Sequence, residues 1–236
     1  MIALARVFTG WTINEAGMKR GDPPFAFAAE RHDYGDKILL GQTIRGSGAD
    51  EGEQAQDILA YHPATARCVA LRLAQNFVSD QPAPALVERI ARRFLEMRGD
   101  IRAMLRTLFD SPEFWAHANF HTLYKTPYRY LVSSLRAAAI PVANYKPADG
   151  LLFQLAMPMY GWLTPDGYAF SRDAWLKPDA LLRRINFAVG LGGGRSPIGR
   201  AEGAQPPPGS GPLDARDLAR TLGPGLSPDT LAGVMG

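Results

Sequence analysis

Apolar residues recur at helical spacing over most of this chain. The clearest run follows His62-Pro63-Ala64-Thr65-Ala66-Arg67, where Ala66, Val69, Ala70, Leu73 and Phe77 line one side of a predicted helix. Pro63 suits its first turn, which needs no amide hydrogen. Asp80-Gln81-Pro82 ends it near Ser79. The same period predicts helices over residues 2–8, 51–61, 83–98, 101–109, 126–140 and 178–189, with a shorter one over 149–156. Gly99 and Asp100 read as a stop and a start. Ser111-Pro112 and Thr126-Pro127 read as further starts.

The period breaks in two places. Residues 25–44 hold Phe25-Ala26-Phe27, a turn-like Asp33-Tyr34-Gly35-Asp36 and the apolar Ile38-Leu39-Leu40. They predict a small β-ribbon. Gly46-Ser47-Gly48 then reads as a connector. Glycine and proline dominate 191–212, which reads as a linker outside the core. Residues 213–236 read as a short helical tail. The expected fold is mainly α: a multi-helix bundle over residues 1–190 with a small β-ribbon near its N-terminus. The chain starts as if within an amphipathic helix, with Ile2, Ala5 and Phe8 already in register, and its tail stops within one. It therefore reads as a fragment of a longer protein.

With 236 residues and 46% apolar content, the chain can bury a sizeable core. A formal charge of +3 is small and argues little for nucleic acid. The arginine run Arg89, Arg92, Arg93, Arg98, Arg102 and Arg106 reads as a solvated helix face. A nucleic-acid binder is thus only a weak alternative. Cys68 is the sole cysteine, so an intrachain disulfide and a thiolate zinc site are excluded. No apolar run reaches the ~18–20 residues of a membrane helix, and no signal peptide is visible.

Candidate chemistry centres on His32, Asp33 and His62. If the ribbon folds over the helix start at Pro63, two imidazoles and a carboxylate converge, a set suited to a divalent metal or to acid–base work. The free amides of that start favour anions, and Thr65 and Arg67 sit beside them. The structural alternative is that His62 caps its helix and Asp33 makes a turn. Of the two, the structural alternative weighs more. Trp11 and Trp162 flank glycines, where an indole either stacks on a ligand or plugs a helical layer. His117 and His121 share one helical face but have no third ligand nearby in the sequence. The sequence contains no His-Glu-x-x-His, no Gly-rich phosphate loop and no Gly-x-Ser-x-Gly.

Several pieces together resemble one large bacterial family, the domain of unknown function 1800. They include Ala5-Arg6-Val7-Phe8-Thr9-Gly10-Trp11, His32-Asp33-Tyr34-Gly35-Asp36-Lys37 and His62-Pro63-Ala64-Thr65-Ala66. Phe77-Val78-Ser79-Asp80, Gly99-Asp100-Ile101-Arg102, Ser111-Pro112-Glu113-Phe114, Thr126-Pro127 and Gly161-Trp162 follow in order. The resemblance is to the C-terminal half of family members. It implies a mostly helical, exported protein, periplasmic or extracellular, and a frequent genetic neighbour that is an exported sulfatase-like protein. It implies no activity and no cofactor. The first expectation is therefore a non-catalytic exported helical protein that binds or assists the sulfatase-like partner. The alternative is an exported metal-dependent hydrolase using His32, Asp33 and His62.

Overall fold

The computed structural model describes residues 1–120, 122–204, 212–222 and 228–235. Among these the chain is mainly α, with two short antiparallel hairpins. It forms two compact units, one of Met1–Ala74 with Pro82–Phe114, the other of Gln75–Gln81 with Trp115–Gly236.

The first unit opens with α1 (Ile2–Val7), β1 (Trp11–Ile13), α2 (Glu15–Met18) and β2 (Phe25–Phe27). β1 pairs with β2, Trp11 opposite Phe27 and Ile13 opposite Phe25. A second hairpin joins β3 (Lys37–Leu39) to β4 (Gln42–Ile44). The ribbon expected over 25–44 thus has two halves, and the partner of its first strand lies upstream, at Trp11. Strands of three residues are too short for a two-residue period to show this. α3 (Asp50–Ala60) and α4 (Pro63–Phe77) follow, then α5 (Pro84–Glu96), α6 (Ile101–Phe109) and α7 (Pro112–Trp115).

A hydrophobic cluster joins the hairpins to the helices: Val7, Leu39, Ile44 and Ala55, with Leu4, Phe8, Ile58 and Leu59 packed against it. On α4 the innermost edge is Ala66, Ala70 and Ala74, each fully buried. Phe77, expected on that edge, is exposed. α5 and α6 bury Leu86, Ile90 and Phe94, and Met104 and Leu108. Their boundary is the one read from the sequence. Gly99 takes φ +82, and the Asp100 carboxylate accepts the amides of Arg102 and Ala103.

The second unit holds α8 (Pro127–Ala137), α9 (Lys146–Gln154), α10 (Arg172–Trp175), α11 (Pro178–Gly192), α12 (Ala215–Leu222) and α13 (Pro228–Met235). Its core comprises Leu131, Leu135, Leu151, Leu152, Leu155, Leu191 and Ile198. Arg184 is buried between the rings of Tyr124 and Tyr130, at 4.7 and 5.0 Å from their centroids. It donates to the Lys125 carbonyl at 2.9 Å, while the Tyr130 hydroxyl donates to the Arg184 carbonyl at 2.8 Å.

The linker expected over 191–212 needs correcting in its described part. α11 runs through Gly192, and Ile198 is 1% exposed inside the core. The Ile198 carbonyl also accepts the amides of Ala143 and Asn144. One apolar side chain and one carbonyl anchor a segment whose glycine and proline content suggested a loose tether. Residues 205–211 lie outside the described residues. No described helix is long and apolar enough to cross a membrane.

Candidate functional site

The polar residues of the first unit converge below the N-terminus of α3. α1 ends at Val7, and Thr9 folds back so that its hydroxyl donates to the Arg6 carbonyl at 2.6 Å. The same hydroxyl accepts the Asp33 amide at 2.9 Å. Gly10 makes the turn at φ +84; a Cβ there would meet the Ala28 carbonyl at 2.8 Å. These contacts seat the His32-Asp33 step against the end of α1.

From that step the two side chains diverge. Asp33 faces outward, half-exposed, and takes a two-pronged ion pair from Arg6, with Nε to Oδ2 at 2.7 Å and Nη2 to Oδ1 at 3.2 Å. The Gly35 amide adds 2.9 Å to Oδ1. The Arg6 guanidinium first, and the Gly35 amide next, hold the Asp33 carboxyl well below the usual carboxylate range.

His32 faces inward. Its Nδ1 lies 2.6 Å from the Thr9 carbonyl and its Nε2 lies 2.7 Å from Glu51 Oε1. Both partners only accept, so the ring satisfies both by donating from both nitrogens. Lys37 meets the other carboxylate oxygen, Glu51 Oε2, at 2.5 Å and also donates to the Asp33 carbonyl. The backbone amides of Ser47 and Gly48 donate to Oε1 at 2.9 and 3.1 Å. The side chains of His32, Glu51 and Lys37 are all 0% exposed. Burial pushes the Glu51 carboxyl up, but hydrogen bonds from Lys37, His32 and Gly48 outweigh it and hold the group below its ordinary value.

The rings of Phe27 and Tyr34 pack against the His32 ring at 5.3 and 4.8 Å, the latter edge-on. Glu51 therefore sits in a closed, desolvated centre, met by the Lys37 ammonium, the His32 ring and two backbone amides. Such a set stabilises one arrangement of α1, β3 and α3. It leaves no open position beside His32 for a reacting atom.

The three candidates His32, Asp33 and His62 take different partners. His32 is committed to Thr9 and Glu51, and Asp33 to Arg6. His62 accepts the Ala64 amide at Nδ1, 3.1 Å away, and so caps α4. The three share no hydrogen bond or ion pair with one another, and among the described residues no group of three His, Cys, Asp or Glu could hold a metal ion. Thr65 donates to the Leu59 carbonyl at 2.7 Å. Arg67 pairs with Glu88 at 2.9 Å across a cavity of about 440 Å³. Neither is left waiting for an anion.

Trp11 packs edge-on against Phe8 and Phe25, both at 5.0 Å, and lies over Gly52, where a Cβ would fall 2.0 Å from the indole. It plugs the layer between β1 and α3. Trp162, in the second unit, donates to Asp166 at 3.1 Å and leans on Tyr168. In the arginine run, Arg89 pairs with Glu113, Arg93 with Glu96, and Arg98 lies 4.8 Å over Tyr61. His117 stacks on Phe120; His121 is outside the described residues.

Glu51 is the residue that reading the sequence misses, although it organises the site. Its signal was a carboxylate in the first turn of a helix behind Ser47-Gly48, where it reaches back to amides that have no partner within the helix. Arg6, Thr9 and Lys37 stood inside the recurrent sequence pieces, but as spelling rather than as contacts.

No curated protein and no solved structure matches the chain. One family model matches residues 1–235. On that match the chain belongs to the family described as a protein of unknown function, DUF1800.

Proposed function

We propose that this is a non-catalytic exported helical protein of bacterial origin that binds or assists a partner, the exported sulfatase-like protein that the family resemblance implies. The observation that carries the reading is the closure of the His32–Glu51–Lys37 centre. A general base must reach a substrate proton, and a metal ligand must keep a lone pair for the metal. Here both imidazole nitrogens are within 2.7 Å of oxygen acceptors inside the protein. The hydrolase alternative relies on these residues, and their hydrogen bonds count against it.

A second observation supports a binding role. Tyr160 and Leu163 are 99% and 98% exposed, on a loop that also exposes Met159 and Trp162. Apolar side chains grouped in this way serve partner surfaces. The test is co-expression with the neighbouring sulfatase-like protein and capture through a tag on this chain. Stoichiometric co-elution that falls away on Tyr160→Ser with Leu163→Ser is expected. Hydrolytic turnover by the isolated chain, lost in a folded His32→Gln variant, would replace this reading with the enzyme one.

A further inference from the structure

The second unit carries a groove between α9 and α11. Its main cavity, about 490 Å³, falls within the ~300–1,000 Å³ of small-molecule sites. The floor is made by core residues Leu151, Leu191 and Ile198 with the partly buried Phe187. Gln154 lines this cavity and also a second one of about 260 Å³, walled by Trp162 and Trp175. Both indole nitrogens are tied to protein oxygens, so ring faces are what the indoles offer. From Asp179 in the second cavity to Gly190 in the first, α11 covers about 17 Å at its helical rise.

Two features set the chemistry of an occupant. Arg195 lines the main cavity, and among the described residues its guanidinium makes no hydrogen bond or ion pair. The one carboxylate in the two linings, Asp179, is already engaged by Arg183 at 2.8 Å. The groove is therefore apolar along its floor, with the unpaired guanidinium of Arg195 beside the main cavity and the ammonium of Lys177 lining the second. The second feature is a pair of glycines, Gly150 on α9 and Gly190 on α11. Each lines the cavity and sits inside a helix, where glycine is unfavourable. A Cβ at either would meet nothing within 4 Å, so packing does not demand glycine there. Larger side chains at these positions would fill the space over the floor.

We propose that this groove binds an amphiphilic carboxylate of the medium-chain fatty-acid type. The carboxylate takes the guanidinium of Arg195 in a charge-assisted pair, and the acyl chain lies over Leu151 and Phe187 toward Trp162. Burial of the chain supplies the apolar part of the affinity. This site is independent of the partner reading above, which concerns the exposed loop.

The test is calorimetric titration of the full chain with dodecanoate and with dodecanol, each below its aggregation limit. Dodecanoate is expected to saturate one site, with dodecanol weaker by about tenfold or more. Arg195→Gln should weaken dodecanoate by about the same factor while leaving dodecanol unchanged, which also reports that the groove is still folded. Gly190→Leu should abolish binding of both, and Arg172→Gln, outside the groove, should change neither. Absent saturation by dodecanoate, equal affinity for the two ligands, or an Arg195→Gln variant that binds dodecanoate normally would overturn the proposal. Unchanged binding by Gly190→Leu would overturn the placement in this groove.

Discussion

His32 and Glu51, separated by nineteen residues, share a 2.7 Å hydrogen bond in which neither side chain is exposed to solvent. Lys37 completes the arrangement from the opposite carboxylate oxygen. Buried charges of this kind persist only when each is answered, since desolvation alone costs several kcal/mol per ion. The arrangement ties the end of α1 and the β3–β4 hairpin to the start of α3.

Glu51→Gln should destabilise the first unit by about 3–5 kcal/mol, the usual cost of leaving one partner of a buried pair uncompensated. Lys37 then faces an amide where a carboxylate stood. Denaturant unfolding followed by circular dichroism measures it through a lowered midpoint at unchanged slope. A loss below ~1 kcal/mol would mean that the pair is an ordinary surface ion pair.

The same carboxylates set an acid limit. Glu51 and Asp33 both have folded-state values held below their ordinary 4.5 and 3.8. A depressed carboxylate contributes stability that is complete above its unfolded value and is lost as pH falls through its folded value. The chain should therefore be steady above about pH 5 and weaken progressively below the ordinary values. Thermal midpoints measured from pH 6 downward should fall, and they should fall less steeply in Glu51→Gln.

Gly46→Ala should be more harmful than its place in a Gly-Ser-Gly connector suggests. A Cβ there would lie 1.8 Å from the backbone carbonyl oxygen of Tyr34, which cannot rotate away. Shifting that backbone costs about 1–3 kcal/mol, as overpacking does elsewhere. The comparison is with Gly41→Ala, where a Cβ meets nothing although φ is +81. Equal unfolding midpoints for the two variants would contradict the close approach.

Helix starts and stops were legible in the sequence because they are local. Asp100 caps α6, Thr126 caps α8 and Gly99 ends α5, each through atoms within a few residues. The site was half legible. His32, Asp33 and Lys37 lie in one hexapeptide, but their partners Glu51 and Arg6 lie up to 27 residues away. Nothing in residue type told which carboxylate would meet which cation. For Trp11 the sequence left stacking on a ligand and plugging a layer both open, and its strand pairing with Phe27 spans an excursion that no short-range pattern reports. Ile198 misled for the opposite reason: composition describes the segment, and a single buried side chain decides where it goes.

Ile198→Ala tests that last point. A fully buried isoleucine in a seven-residue core should cost about 2–5 kcal/mol when truncated. A change within ~0.5 kcal/mol, as for exposed positions, would return 197–199 to the linker.

The claim that His32, Glu51 and Lys37 form a closed structural clasp is tested most directly by a double-mutant cycle on unfolding free energy. The variants are Lys37→Met, Glu51→Gln and the pair together. Each single change leaves a buried group unanswered, whereas the double change removes both charges. The account predicts that the double variant is more stable than the sum of the single losses implies, by about 1–3 kcal/mol of coupling. Strict additivity, with coupling under ~0.5 kcal/mol, would contradict it.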